Sequence, residues 1–212
     1  MIYELITQNV RPGTQAEVEK RYAEIYEKRK QFSELGAFWH TEIGPLNQVV
    51  HIWPYQDIAE RLRVRSEAMK AKVWSPDIAQ FLVNSSAQIL MTLPFSPPLK
   101  PAKNGPYFEM RTYTFVEGEL PMLVESWERV LEQRLTYGPL CGVWYSELGT
   151  LNQFIQIWPF KTLNEREDIR EKARIAGCWP PSAAALKAGS RGAELAAQEN
   201  KILKAAAFSP IQ

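Results

Sequence analysis

"LNQVVHIWPY" at residues 46–55 returns as "LNQFIQIWPF" at residues 151–160, 105 positions further along the chain. Working outward at that offset, Trp39 meets Trp144, Glu42 meets Glu147, Gly44 meets Gly149 and Asn47 meets Asn152. Arg61 then meets Arg166, Arg65 meets Arg170 and Trp74 meets Trp179, while Glu4 meets Glu109 near the start of each copy. A register held over that length marks a duplicated folding unit. The tripeptide "FSP" at 95–97 and again at 208–210 is offset by 113, so the second copy carries eight extra residues, in the Ala-rich stretch 183–198.

Within one copy the apolar period changes in a fixed order. Residues 2–8 alternate as a strand. "TQAEVEKRYAEIYEKRKQF" has helical spacing, and Thr14 with Glu17 predicts a capping box. Residues 36–43 and 47–53 read as a hairpin about a Gly-containing turn. A second helix starts at Asp57 with Glu60, and at Thr162 with Glu165 in the other copy. Ser75 before Pro76 predicts a further helical segment, and "ILMTL" closes the copy as a strand. The order β-α-β-β-α-β is an α+β, ferredoxin-like plan. Its sheet has one face without helices, and strands this rich in Trp, Phe, Ile and Val need that face covered. Two tandem repeats, 1–103 and 104–212, joined by the proline-rich "PFSPPLKPAKNGP", are therefore expected to form an intrachain pseudo-dimeric α/β barrel.

With 25 Lys and Arg against 24 Asp and Glu, the chain has no field to hold a polyanion, and nucleic acid is not an expected partner. No window is long and apolar enough to span a bilayer. The alternating N-terminal residues read as a strand with no leader, and Cys141 and Cys178 stand outside any CxxC spacing. The expectation is a cytoplasmic protein; self-association is compatible with the plan, and nothing in the chain sets a number of copies. There is no phosphate-binding glycine loop, nucleophile elbow, dinucleotide fingerprint or aromatic RNP strand.

"WHTEIGPLNQVVHIWPY" and "WYSELGTLNQFIQIWPF" resemble the signature of the NIPSNAP family: a Trp, a Glu-x-Gly turn, and an Asn followed by His-Ile/Leu-Trp before an aromatic. The resemblance covers most of both copies and implies tandem NIPSNAP domains, which are similar to the dimeric α/β-barrel superfamily. That superfamily includes cofactor-free monooxygenases, haem-degrading enzymes and many proteins without known activity, so the resemblance implies no single reaction. Eukaryotic members are linked to mitochondria, trafficking and mitophagy; this chain resembles the bacterial tandem forms.

The candidate pocket comprises His51, His40, Glu42, Trp39, Trp53 and Arg61 of the first copy with Glu147, Trp144, Trp158 and Arg166 of the second. Folding the hairpin about Pro45 and Leu46 would set His40 opposite His51, about 5 Å apart at their β-carbons, with Glu42 on the same face. The second copy has Tyr145 and Gln156 at those positions, so no metal site and no cofactor are expected. Glu42 and Glu147 could bond turn amides or act as bases; the four tryptophans suit a core or a stacked ligand. Arg61 and Arg166 could pair with a strand carboxylate or clamp an anion. No catalytic residue is assigned. The reading is a non-catalytic module that binds a small hydrophobic or acidic molecule or an interaction partner. Its alternative is a cofactor-free monooxygenase-like enzyme with a pocket between sheet and helices.

Overall fold

The computed structural model describes residues 1–212. The first repeat runs β1 (Ile2–Val10), α1 (Gln15–Arg29), β2 (Ala37–Ile43), β3 (Gln48–Tyr55), α2 (Ile58–Lys70) and β4 (Leu82–Thr92). The second runs β5 (Tyr107–Phe115), α3 (Leu120–Leu135), β6 (Gly142–Leu148), β7 (Gln153–Phe160), α4 (Leu163–Ile175), α5 (Pro181–Lys187) and β8 (Leu195–Ala205). All eight strands close into one antiparallel barrel in the order β1-β3-β2-β8-β5-β7-β6-β4.

The covered face that the aromatic strands require is the inside of this barrel. Tyr3, Leu5, Trp39, Val50 and Ile52 of one repeat meet Phe108, Trp144, Ile155 and Ile157 of the other in a single buried cluster. The contacts are reciprocal: Tyr3 stacks at a tilt on Trp144, 5.4 Å between ring centres, and its counterpart Phe108 on Trp39 at 5.6 Å. The sheets also share edges, through β2–β8 and β4–β6, which removes four open edges at once. The repeated "FSP" works at these seams. Ser96 accepts the Val143 amide at 3.0 Å, and Ser209 accepts the Phe38 amide at 2.9 Å, so each serine ties its own repeat to the hairpin of the other.

Alternate residues of β1 and β5 point outward, beneath the helices, where each repeat has its own second core. Asp57 and Thr162 cap α2 and α4, each accepting the amide three residues on, as expected. Three local expectations are corrected. Thr14 makes no capping bond; its hydroxyl donates back to the Arg11 carbonyl, and that local bond competes with the cap. After Pro76 the first copy forms only the 3-10 turn Ala79–Phe81, whereas the longer second copy forms α5 with Pro181 at its start. The hairpin pairs His51 with Phe38 and His40 with Val49, two residues away from a direct His40–His51 pairing.

That register follows from the turn, where Gly44 has φ +118° and Asn47 φ +57°; Gly149 and Asn152 repeat the geometry at +105° and +55°. A β-carbon added at Gly44 would stand 3.0 Å from Cβ of Lys201, while at Gly13, φ +79°, it would meet nothing within 4 Å. Gly44→Ala is thus expected to lower the urea-unfolding free energy by about 2–3 kcal/mol, strain plus collision, and Gly13→Ala by about 1 kcal/mol, strain alone. No helix is long and apolar enough to cross a membrane.

Candidate functional site

The ten residues marked from the sequence fall in three places. Trp39 and Trp144 lie inside the barrel. Glu42 and Glu147 are exposed at the hairpin ends; Glu42 stands 4.0 Å from Lys204 and 3.9 Å from His40. The remaining six lie on the helix side of the two sheets. His40 bonds Glu19 of α1 at 2.7 Å and does not face His51. No group of three or more His, Cys, Asp or Glu side chains is arranged to hold a metal ion.

In the first repeat the space between sheet and helices is filled. His51 is wholly buried; its Nδ1 accepts from Trp53 Nε1 at 2.7 Å, so its proton sits on Nε2. That nitrogen faces the Tyr22 hydroxyl at 3.4 Å, and Tyr22 donates to Gln8 at 2.8 Å. Phe38 stacks on the imidazole with 3° between the planes. Burial, then the charges of Arg65 and Arg29, push the His51 pKa down to about 3, so it is neutral at pH 7. Arg21 of α1 closes the outside, bonding Asp77 at 3.1 Å and lying 4.9 Å over the Phe81 ring.

The second repeat changes this wall position by position. At the 105-residue offset Arg21 and Asp77 become Ser126 and Ser182, Tyr22 becomes Trp127, Gln8 becomes Tyr113 and Ile6 becomes Arg111. Two short hydroxyls cannot span the gap that the Arg21–Asp77 pair closes. A cavity of about 170 Å³ is left, lined by Arg111, Tyr113, Trp127, Arg170, Trp179 and Gln198 with Ser126 and Ser182. Ala193 flanks it from the stretch 183–198 that carries the extra eight residues, so the insertion contributes to one wall. The cavity shares Arg170, Trp179 and Pro180 with a groove of about 630 Å³ that α4 lines with Arg166 and Arg174.

Its electrostatics are lopsided. In the first repeat Glu4 on β1 takes Arg61 and Arg65. In the second, Glu109 on β5 takes Arg166 at 2.5 Å, Arg111 at 3.0 Å and Arg170 at 3.5 Å. Burial acts to raise the Glu109 pKa, but the Arg166 hydrogen bond and the charges of Arg111, Arg170 and Arg166 outweigh it and hold the carboxyl below its ordinary range. Three guanidinium groups meet one carboxylate in this cluster, and two of them, Arg111 and Arg170, line the cavity, while the adjoining groove sets Glu167, Asp168 and Glu171 beside its arginines. Arg111 uses Nε on Tyr113 at 2.9 Å and Nη1 on Glu109, and Arg170 reaches Glu109 alone.

A fourth cation lies behind them. Arg29 of the first repeat donates to Ser33 at 2.8 Å and to Tyr55 at 3.4 Å; its counterpart Arg134 has Gly138 and Phe160 in their places. Nε and Nη1 of Arg134 are buried without partners, with the Trp158 ring 4.1 Å from the guanidinium carbon. Burial, with Arg170 near by, pushes its pKa down to about 10. Gln156 stands in for His51, accepting from Trp158 Nε1 at 2.7 Å, and its own amide has no acceptor because Trp127 replaces Tyr22.

Arg61 and Arg166 pair with strand carboxylates, one of their two expected roles. None of the ten marked residues lines the cavity: Arg170 and Trp179 repeat Arg65 and Trp74 of the first copy, while Arg111, Tyr113, Ser126, Trp127 and Ser182 are legible only as differences between the copies.

The NIPSNAP family model matches residues 3–97 and 108–210. The chain is 29% identical to human protein NipSnap homolog 3B, over 99% of this chain and 85% of that one, and 27% identical to protein NipSnap of Drosophila melanogaster, over 84% and 69%. A solved anthrone oxidase-like protein shares the fold at a TM-score of 0.61 and 9% identity, over 99% of this chain and 93% of that one. With both copies of the duplicated unit matched by the family model, the chain belongs to the NIPSNAP family.

Proposed function

We propose that the second repeat binds a small aromatic carboxylate and that the first is a closed structural copy. The observation that carries this reading is the cavity with Arg111 and Arg170 in its lining and Trp127, Trp179 and Tyr113 around it. Two free guanidinium faces suit a carboxylate held at two points, and indole and phenol rings suit an apolar planar body. A space on the order of 150 Å³ holds one benzene ring, which sets the size of the ligand. The lining contains no carboxylate and no imidazole, so it supplies binding and orientation without a general base.

Calorimetric titration with benzoate and with neutral benzamide tests the reading. Benzoate is expected to bind with Kd of about 1 mM or tighter and benzamide at least tenfold more weakly, about 1.4 kcal/mol for the lost charge pairing. Transplanting the first repeat's closure, Ser126→Arg with Ser182→Asp, is expected to abolish benzoate binding while the melting temperature of the free protein holds or rises. Equal binding of the two compounds, or undiminished binding by the double variant, would reject the proposal.

A further inference from the structure

At the turn end of the barrel each hairpin turn folds over the last strand of the other repeat, and there too the copies differ. Gly149 lies against Gln88, whose Nε2 donates to Gln153 Oε1 at 2.8 Å. At the equivalent place Gly44 lies against Lys201, whose Nζ donates to Gln48 Oε1 at 3.2 Å. One copy matches amide to amide; the other sets an amine with three donors against one neutral acceptor. Beside it is a cavity of about 340 Å³ at the turn end of the barrel, lined also by Pro45, Met110, Thr112, Glu199 and Asn200.

We propose that Lys201 forms a reversible imine with a small aldehyde or ketone in this cavity. The site has what the chemistry needs: an amine held by a neutral group, room in front of it, and a carboxylate one pleat away on β8. Burial favours the uncharged amine and pushes the Lys201 pKa down, with the Glu199 charge acting the other way. The balance is complete without an oxidant or a metal. Glu199 takes a proton from the ammonium, and the freed nitrogen pair attacks the carbonyl carbon as the C=O π pair moves to oxygen. That oxygen takes the proton back from Glu199, and the nitrogen gives up a second proton to the resulting hydroxyl through the same carboxylate. Water leaves as the nitrogen pair closes the C=N bond, and the products are the iminium and one water.

Reductive trapping of the intact protein with propanal and sodium cyanoborohydride at pH 7, followed by peptide mass spectrometry, reads each lysine separately. Lys201 is expected to be alkylated several times faster than Lys204 on the same strand, with 37% of its side chain exposed, and than Lys20, with 66% exposed. Glu199→Gln is expected to slow Lys201 and leave Lys20 unchanged. Alkylation that follows exposure, with Lys201 last or level, overturns the proposal; so does a Lys201 rate that Glu199→Gln leaves unchanged or raises.

Discussion

His51→Gln is expected to leave the fold in place at pH 7 and to make the protein more resistant to acid. The folded His51 pKa is about 3 against an ordinary value of 6.5. The unfolded chain therefore takes up a proton below pH about 6.5 that the folded chain refuses, and stability falls as pH falls through that window. At pH 5 the loss from this one side chain is about 2 kcal/mol. Glutamine fits because the second repeat already uses it: Gln156 accepts from Trp158 at the same 2.7 Å as His51 from Trp53. The variant should lie within about 1 kcal/mol of wild type at pH 7, the scale of one adjusted hydrogen bond, and gain about 2 kcal/mol on it at pH 5. Urea unfolding at the two pH values measures both. A difference between the two proteins that does not change with pH would mean that His51 titrates normally.

Glu109→Gln acts through the opposite charge. Glu109 is 1% exposed and is the only carboxylate holding Arg111, Arg166 and Arg170 together. Removing one partner of a buried ion pair costs about 3–5 kcal/mol, and the lower figure applies because the arginines keep some water. Its depressed pKa means that the stabilisation is present above the ordinary carboxylate range and lost as pH falls through the lower folded value, so wild type and variant should converge in acid. Glu4→Gln in the first repeat releases two arginines in place of three and should cost less. Equal losses at the two positions would contradict the charge imbalance assigned to the second repeat.

The duplicated decapeptide and the order of periods led directly to two ferredoxin-like units and a closed barrel, because strands this aromatic have one physical solution. The site was harder to read for a reason visible at His51. A histidine among neighbours that recur in the second copy suggests chemistry, yet Trp53, Tyr22 and Phe38 bury it and fix its tautomer. Hairpin register was beyond the pattern, since Gly44 and Asn47 both take positive φ and set the pairing. The cavity depends on Ser126 and Ser182, which attract no attention as serines; their meaning appears only when Arg21 and Asp77 are seen bonded at the same place in the other copy.

The central claim is that two copies of one fold have divided, one closed and one open to a small anion. A crystal structure of the protein soaked in benzoate tests it most directly. The account predicts one benzoate per chain, in the second repeat, its ring against Trp127 and Trp179 and its carboxylate on Arg111 and Arg170, with the Arg21–Asp77 pair intact in the first. Benzoate behind Arg21 in the first repeat, or an empty second cavity at saturating benzoate, would contradict it.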